Sequence, residues 1–311
     1  MIRWPLLALV ALASPALAGD LAFVTSQHGD ALSVVDLGQG RIVASTRIEG
    51  APAPVAYDPA GRRAYVVAAD TGRLHVVDEE ATVVAQADLG EGAFGLAVAP
   101  GGGVFVTDWY GGMLTRLDSD LQPIWQSKTG AAPAGVAVSG DGTLVATADR
   151  DDDAVSIYDA DDGRRLYQVP TAGSHPFGIT FHDGLLYTAD VQGDSVSVID
   201  ASTGELVGDI STGSHPYAVA FAGGRGFVTN QYDSSVTVFD PATLQAVAEV
   251  EVGDYPEGIA ALPDGSGVAV ANWDSDSLVI LDASDLTVRD SIDMPSGPRA
   301  FGSFTGRQVQ P

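Results

Sequence analysis

The side chains best suited to chemistry in this 311-residue chain are few. Five are histidines, and two of these, His175 and His215, each stand directly before a proline and lie 40 residues apart. A neutral imidazole ligates Zn²⁺ or Cu²⁺ well. With His28 the pair forms a candidate site for a divalent transition metal, Glu257 being the alternative third ligand. Three Met and no Cys speak against Cu(I). Glu257 with His175 is the obvious acid–base pair, and Arg299 is the nearest cation for an anionic group. Tyr255 precedes another proline in the same phase, while Trp109, Tyr110, Tyr232 and Trp273 fall in turns. Aromatic turn residues suit a protein or a ring-containing ligand, or else pack turn against turn.

Other chemistries are missing from the chain. It has no GxSxG elbow, no phosphate-cradling P-loop and no HExxH helix. Without Cys there are no disulfides, thiolate metal sites, Cys nucleophiles or covalent c-type haem. The run Asp149-Arg150-Asp151-Asp152-Asp153 lacks the Gly and terminal Glu of a calcium loop and reads as a solvated acidic turn. His75 occupies a strand position that is Ser or Thr elsewhere, and His182 reads as a turn residue.

Lys and Arg number 15 against 41 Asp and Glu, a net charge of −26, and Lys128 is the only lysine. Nucleic acid is excluded as a partner, since phosphate binding needs clustered cations. The 45% hydrophobic content argues for a folded chain. Residues 1–18 carry Arg3, an apolar stretch and Ala16-Leu17-Ala18, the pattern of a cleaved secretory signal peptide. The expectation is therefore an exported domain over 19–311, located in a bacterial periplasm, monomeric and without a membrane span.

What must position these residues is a repeat. Seven short β-runs end at Asp36, Asp78, Asp118, Asp159, Asp200, Asp240 and Asp282. A second series, Pro52, Ala93, Pro133, Pro176, Pro216, Pro256 and Pro298, keeps the same phase. A third, Ser26, Ala68, Asp108, Asp149, Asp190, Asn230 and Asn272, lies ten residues before each terminal Asp. About forty residues holding four short β-branched runs is one propeller blade. The expected fold is all-β, a seven-bladed β-propeller of four-stranded antiparallel blades. Its ring should close when a C-terminal strand around Ala300 to Phe304 joins the N-terminal blade, removing both sheet edges. One terminal Asp per blade is too many for catalysis, so these residues should cap turns.

The units resemble the YVTN-repeat propellers of the bacterial periplasmic type. FVTN at 227–230 matches their signature best, together with the proline start, the DG or GG turns and the VSVID-like strands; YVVA at 65–68 and VATA at 145–148 depart from it. The resemblance covers residues 20 to 305. It implies the fold but no single activity, because the family holds proteins of diverse roles. Related propellers include lactone hydrolases and subunits of quinone- or haem-dependent dehydrogenases, so an enzyme using the His, Glu and Arg side chains is the alternative function. A d1-type haem needs several cations for its carboxylates, and only Arg299 and Arg150 are at hand.

Strand parity puts the turns between second and third strands, and the loops between blades, on the face where the proline-marked strands begin. His28, His175, His215, Tyr255, Glu257 and Arg299 fall on that face, on blades five, six, seven and one. The expectation is a funnel with one polar wall and space on the other. The function expected is a binding or scaffold propeller accessory to a redox or metal-handling system, its acidic surface steering a basic partner such as a small cytochrome.

Overall fold

The computed structural model describes residues 19–99 and 101–309, so the expected signal peptide lies outside the described residues. Among the described residues twenty-eight strands form seven sheets of four. Blade five shows the plan, with strand A at Pro176–His182, B at Leu185–Asp190, C at Ser195–Asp200 and D at Glu205–Ser211. Strands B and C are buried almost throughout, whereas D is mostly exposed. The β-branched runs of B and C pack between neighbouring blades. Val196 and Val198, for example, lie in one cluster with Val219 and Val228 of blade six. Among the described residues no helix is long and apolar enough to cross a membrane.

The repeated residues are turn and joint chemistry. In all seven blades the terminal Asp accepts a backbone N–H from two to four residues on, from Gln39 on Asp36 to Ser284 on Asp282. The residue before each proline lies in the left-handed region, with φ between 50° and 57° at Ala51, Ala132, His175, His215 and Tyr255. That conformation is disfavoured for a non-glycine residue, more so before proline. Acidic side chains from the preceding blade hold it: Asp153 Oδ1 accepts the His175 N–H at 2.7 Å, and Asp194 Oδ1 accepts that of His215 at 2.9 Å. The Thr of the FVT-type strand performs a second joint. Thr229 accepts the Ala218 N–H, freed by a bulge after Pro216, and donates to the Glu257 carbonyl of blade seven. Thr107 and Thr25 do the same in blades three and one.

Around the axis the inner strands nearly touch. A Cβ on Gly178 would fall 2.3 Å from the Tyr217 carbonyl oxygen and 2.8 Å from the Ala218 Cα, and Gly95, Gly135 and Gly258 are similarly placed. Backbone cannot yield there as a flexible side chain would. Gly178→Val is therefore expected to cost about 3 kcal/mol or more, read as a drop of several degrees in the unfolding midpoint. An unchanged midpoint would show that the blades can spread.

The ring closes through the C-terminal segment, but not as a regular strand at Ala300 to Phe304. Ladder pairing is confined to Thr305–Arg307, against Asp20 to Ala22, with a further bridge from Pro298 to Ser26. Between these points six residues of the closing segment face three of the partner, where blade five has two facing one. The extra residues bulge toward blade two. Val55 donates to the Phe301 carbonyl at 2.9 Å and Tyr57 to the Ser303 carbonyl at 2.8 Å. Gly302, at φ 125°, allows this approach, because a Cβ there would lie 2.4 Å from the Val55 oxygen.

The bulge drives the Phe301 ring onto the axis. It packs on Phe94, Phe177 and Tyr217 with centroids 5.5, 5.1 and 5.5 Å away, and Trp109 seals the side at 5.5 Å from Phe94. The expected open funnel on the proline face is thus a closed aromatic plug. The open space of the axis lies on its other side, a channel of about 470 Å³.

Candidate functional site

The proline face separates the expected residues into three groups. The first is a buried polar cluster. Glu257 follows Pro256 and is 3% exposed, and its Oε2 lies 2.7 Å from Arg299 Nε. Arg299 also donates to Tyr217 Oη at 2.7 Å and to Gln27 Oε1 at 3.1 Å, while Gln231 donates to Glu257 Oε1 at 3.0 Å. Arg299 thereby ties the closing segment to blades one, six and seven. Burial pushes the Glu257 carboxyl up to about 7, opposed by the Arg299 charge and the Gln231 hydrogen bond. The same burial raises the Tyr217 hydroxyl. The expected acid–base pair does not form: Glu257 is committed to Arg299 and Gln231, and His175 Nδ1 is buried without a partner.

The second group is a rim of rings. His215 stacks on Tyr232 with centroids 3.8 Å apart, Tyr232 neighbours Tyr255 at 5.8 Å, Tyr255 neighbours Trp273 at 5.6 Å, and Trp273 meets His28 edge-on at 4.7 Å. The strand-joining turns of blades six, seven and one place these rings in one arc. His28, His215, Tyr255 and Trp273 are expected members, and Tyr232, expected as a turn aromatic of this face but not as a site residue, joins them. Its signal in the sequence is its phase, since it follows Gln231 as Tyr110 follows Trp109. Tyr232 is 59% exposed, so the arc presents aromatic surface to solvent.

The third group stands apart. Trp109 packs inward on Phe94 and Phe177, with the Arg150 guanidinium 5.7 Å from its ring, whereas Tyr110 is 79% exposed on its own turn.

The three histidines do not make a ligand set. His28 and His215 are at opposite ends of the arc, with Trp273, Tyr255 and Tyr232 between their rings, and His175 is not in it. Among the described residues no group of three or more His, Asp or Glu side chains is placed to hold a metal ion. The acidic run at 149–153 is likewise occupied: Asp149 accepts from Thr147 and Ser156, Asp152 from the Ala131 N–H and Asp153 from the His175 N–H. His75 is a buried strand residue contacting Gln86, and burial lowers its pKa. His182 is more than a turn residue, for it stacks on Phe221 at 3.8 Å and lines the channel.

Beside the arc lies an acidic hollow of about 430 Å³, lined by Asp233, Ser234, Glu251, Val252, Gly253 and Asp254. Asp233 follows Tyr232 and Asp254 precedes Tyr255. The arrangement offers aromatic faces and carboxylates together, the pairing that holds a Lys or Arg side chain by charge and by cation–π contact.

Fold and repeat together define a seven-bladed β-propeller. Residues 112–263 match the family model described as YNCE-like beta-propeller. No curated protein matches the chain in sequence. Among solved structures the chain is similar to a functionally unknown protein from Desulfotomaculum acetoxidans DSM 771, at 16% identity and a TM-score of 0.76, covering 92% of this chain and 98% of that one. It is similar also to the dihydro-heme d1 dehydrogenase NirN in complex with DHE, at 18% identity and a TM-score of 0.68, covering 92% and 76%. A third is hydrazine synthase of Kuenenia stuttgartiensis, at 17% identity and a TM-score of 0.74, covering 89% and 99%. At these identities the likeness is one of fold.

Proposed function

We propose that the protein is an exported binding propeller of the periplasm that docks a basic protein, of the charge type of a small cytochrome, on its proline face. The observation that supports this reading is the exposed aromatic arc beside the acidic hollow at 233–254. Rings supply contact area at low entropy cost, and the carboxylates select a cationic partner. The net charge of −26 extends the attraction beyond contact range. The plugged axis and the committed Glu257 leave this face a surface for docking.

The test uses a small basic cytochrome as the partner. Its association rate with the mature domain should fall at least tenfold between 20 and 300 mM salt, because the Debye length shrinks below about 10 Å above 0.1 M. Trp273→Ala with Tyr232→Ala should speed dissociation about tenfold or more and leave the salt dependence of the association rate in place. A rate that is flat with salt, or a double variant that dissociates as the parent does, removes the proposal.

A further inference from the structure

The channel opens on the face away from the docking arc, and its chemistry differs from the rest of this acidic molecule. Its floor is the Phe301 ring with the backbone of Gly178. Above it the wall is Leu96, Val136 and Val219, and toward the mouth stand Thr180, His182 and Ser303. No Asp, Glu, Lys or Arg lines it. We propose that this channel is a second ligand site, one that takes a slim uncharged molecule with an apolar or aromatic end and hydrogen-bonding groups along its length.

Size, charge and backbone each contribute to that assignment. At about 470 Å³ with one closed end, the space lies within the range of small-molecule sites. An ion entering it would lose water without meeting a counter-charge, at a cost of several kcal/mol. An anion would further oppose the −26 of the protein, and a cation would find no carboxylate in the wall. The inner strands are sheet edges, so alternate N–H and C=O groups face the axis. Some are taken: Thr180 Oγ1 donates to the Val219 carbonyl at 2.7 Å, and Thr305 Oγ1 to that of Ala261 at 2.6 Å. The remainder serve water or a ligand with its own donors and acceptors. The aromatic floor matches a flat or apolar end, so the ligand's polar groups should lie along the edges and at the mouth, beside Thr180 and Ser303.

Three isosteric fluorescent probes decide the matter: 2-naphthylmethanol, 2-naphthoate and 2-naphthylmethylammonium, titrated against the full mature domain. The alcohol should bind saturably, at least tenfold tighter than either ion. Ser303 is exposed and uses only its backbone to bond Tyr57, so its side chain can be changed without cutting that bond. Ser303→Trp should fill the mouth and weaken the alcohol at least tenfold. Ser303→Arg should supply the missing counter-charge and strengthen naphthoate at least tenfold over the parent. Both variants are checked for an unchanged thermal transition, and either alone suffices. The proposal fails if the alcohol does not saturate, if the ions match it, or if a folded Ser303 variant binds all three probes as the parent does.

Discussion

Removing residues 296–311 is expected to abolish the cooperative unfolding transition and to yield a soluble aggregate or insoluble protein. The segment holds more than one strand's worth of structure. It receives hydrogen bonds from Phe23, Gln27 and Gly29 of blade one and from Val55 and Tyr57 of blade two. Its Arg299 reaches Glu257, Tyr217 and Gln27, and its Gln308 donates to the buried Glu79 at 2.9 Å. Phe304 is fully buried, and Phe301 is 4% exposed at the centre of the plug. Deletion would bare the edge of the Asp20–Ser26 strand, a template for pairing with other chains. It would also strand Glu257 as a buried carboxylate without its cation. Phe304→Ala gives the graded version, an expected loss of about 3–5 kcal/mol. Calorimetry with light scattering reads both, and a truncated chain that unfolds as the full one does would show that the ring needs no clasp.

The parts of this molecule legible in the sequence are those fixed by local backbone chemistry. A terminal Asp caps its turn within four residues, so seven caps leave a seven-fold mark. The proline series marks where inner strands begin for the same reason. The plug at Phe301 leaves no such mark, because it arises from a mismatch of six residues against three between the two ends of the chain. Its effect reverses the expected funnel: Phe94, Phe177 and Tyr217 are visible as residues after the proline positions, but nothing local says that they meet a fourth ring. Likewise His175 and His215 share a phase, and His28 shares their face, yet phase fixes backbone position only. Aromatic neighbours on adjoining turns decide where the imidazoles of His28 and His215 go. The glycines at 95, 135, 178 and 258 follow the proline positions by two residues. That spacing is a sign of crowding at the axis.

The same face carries both the joints between blades and the rings proposed for docking, and the two uses are separable. At His175 and His215 the main chain does the joining through N–H and carbonyl bonds to neighbouring turns, and at Tyr255 through its carbonyl, which accepts from Trp273. Ala51 and Ala132 do this equally well in blades two and four. The side chain is therefore free to vary from blade to blade, which is how one arc of a repeated ring can acquire a partner surface without disturbing the repeat.

That freedom has a limit one strand outward, where Asp149 and Asp190 are fully buried in the phase that Asn230 and Asn272 occupy in blades six and seven. Each sits among hydroxyls: Asp190 Oδ2 accepts from Ser195 and Ser197 while its Oδ1 has no partner, and Asp149 accepts from Thr147 and Ser156. Burial pushes both carboxyls up to about 6 from 3.8, against the pull of those hydrogen bonds. A folded state that holds its protons more tightly than the unfolded chain gains stability from them. That contribution is complete below about pH 3.8 and is lost as pH rises through about 6. Glu257, raised to about 7, acts in the same sense up to neutrality. The protein should consequently be more stable at pH 5 than at pH 8. Asp149→Asn with Asp190→Asn should restore at pH 8 what ionisation removes. Each pH unit between the folded and unfolded pKa is worth about 1.4 kcal/mol, which makes roughly 3 kcal/mol for each site an upper figure. At pH 4.5, where the carboxyls are largely protonated in the fold, most of this gain should disappear. The Asn residues of blades six and seven, each donating to a serine hydroxyl, show that the pocket accepts an amide. Thermal unfolding of parent and double variant from pH 4.5 to 8.5 gives the answer in the difference between the two curves. A difference that is constant with pH would mean that both carboxyls ionise as freely in the fold as in the unfolded chain.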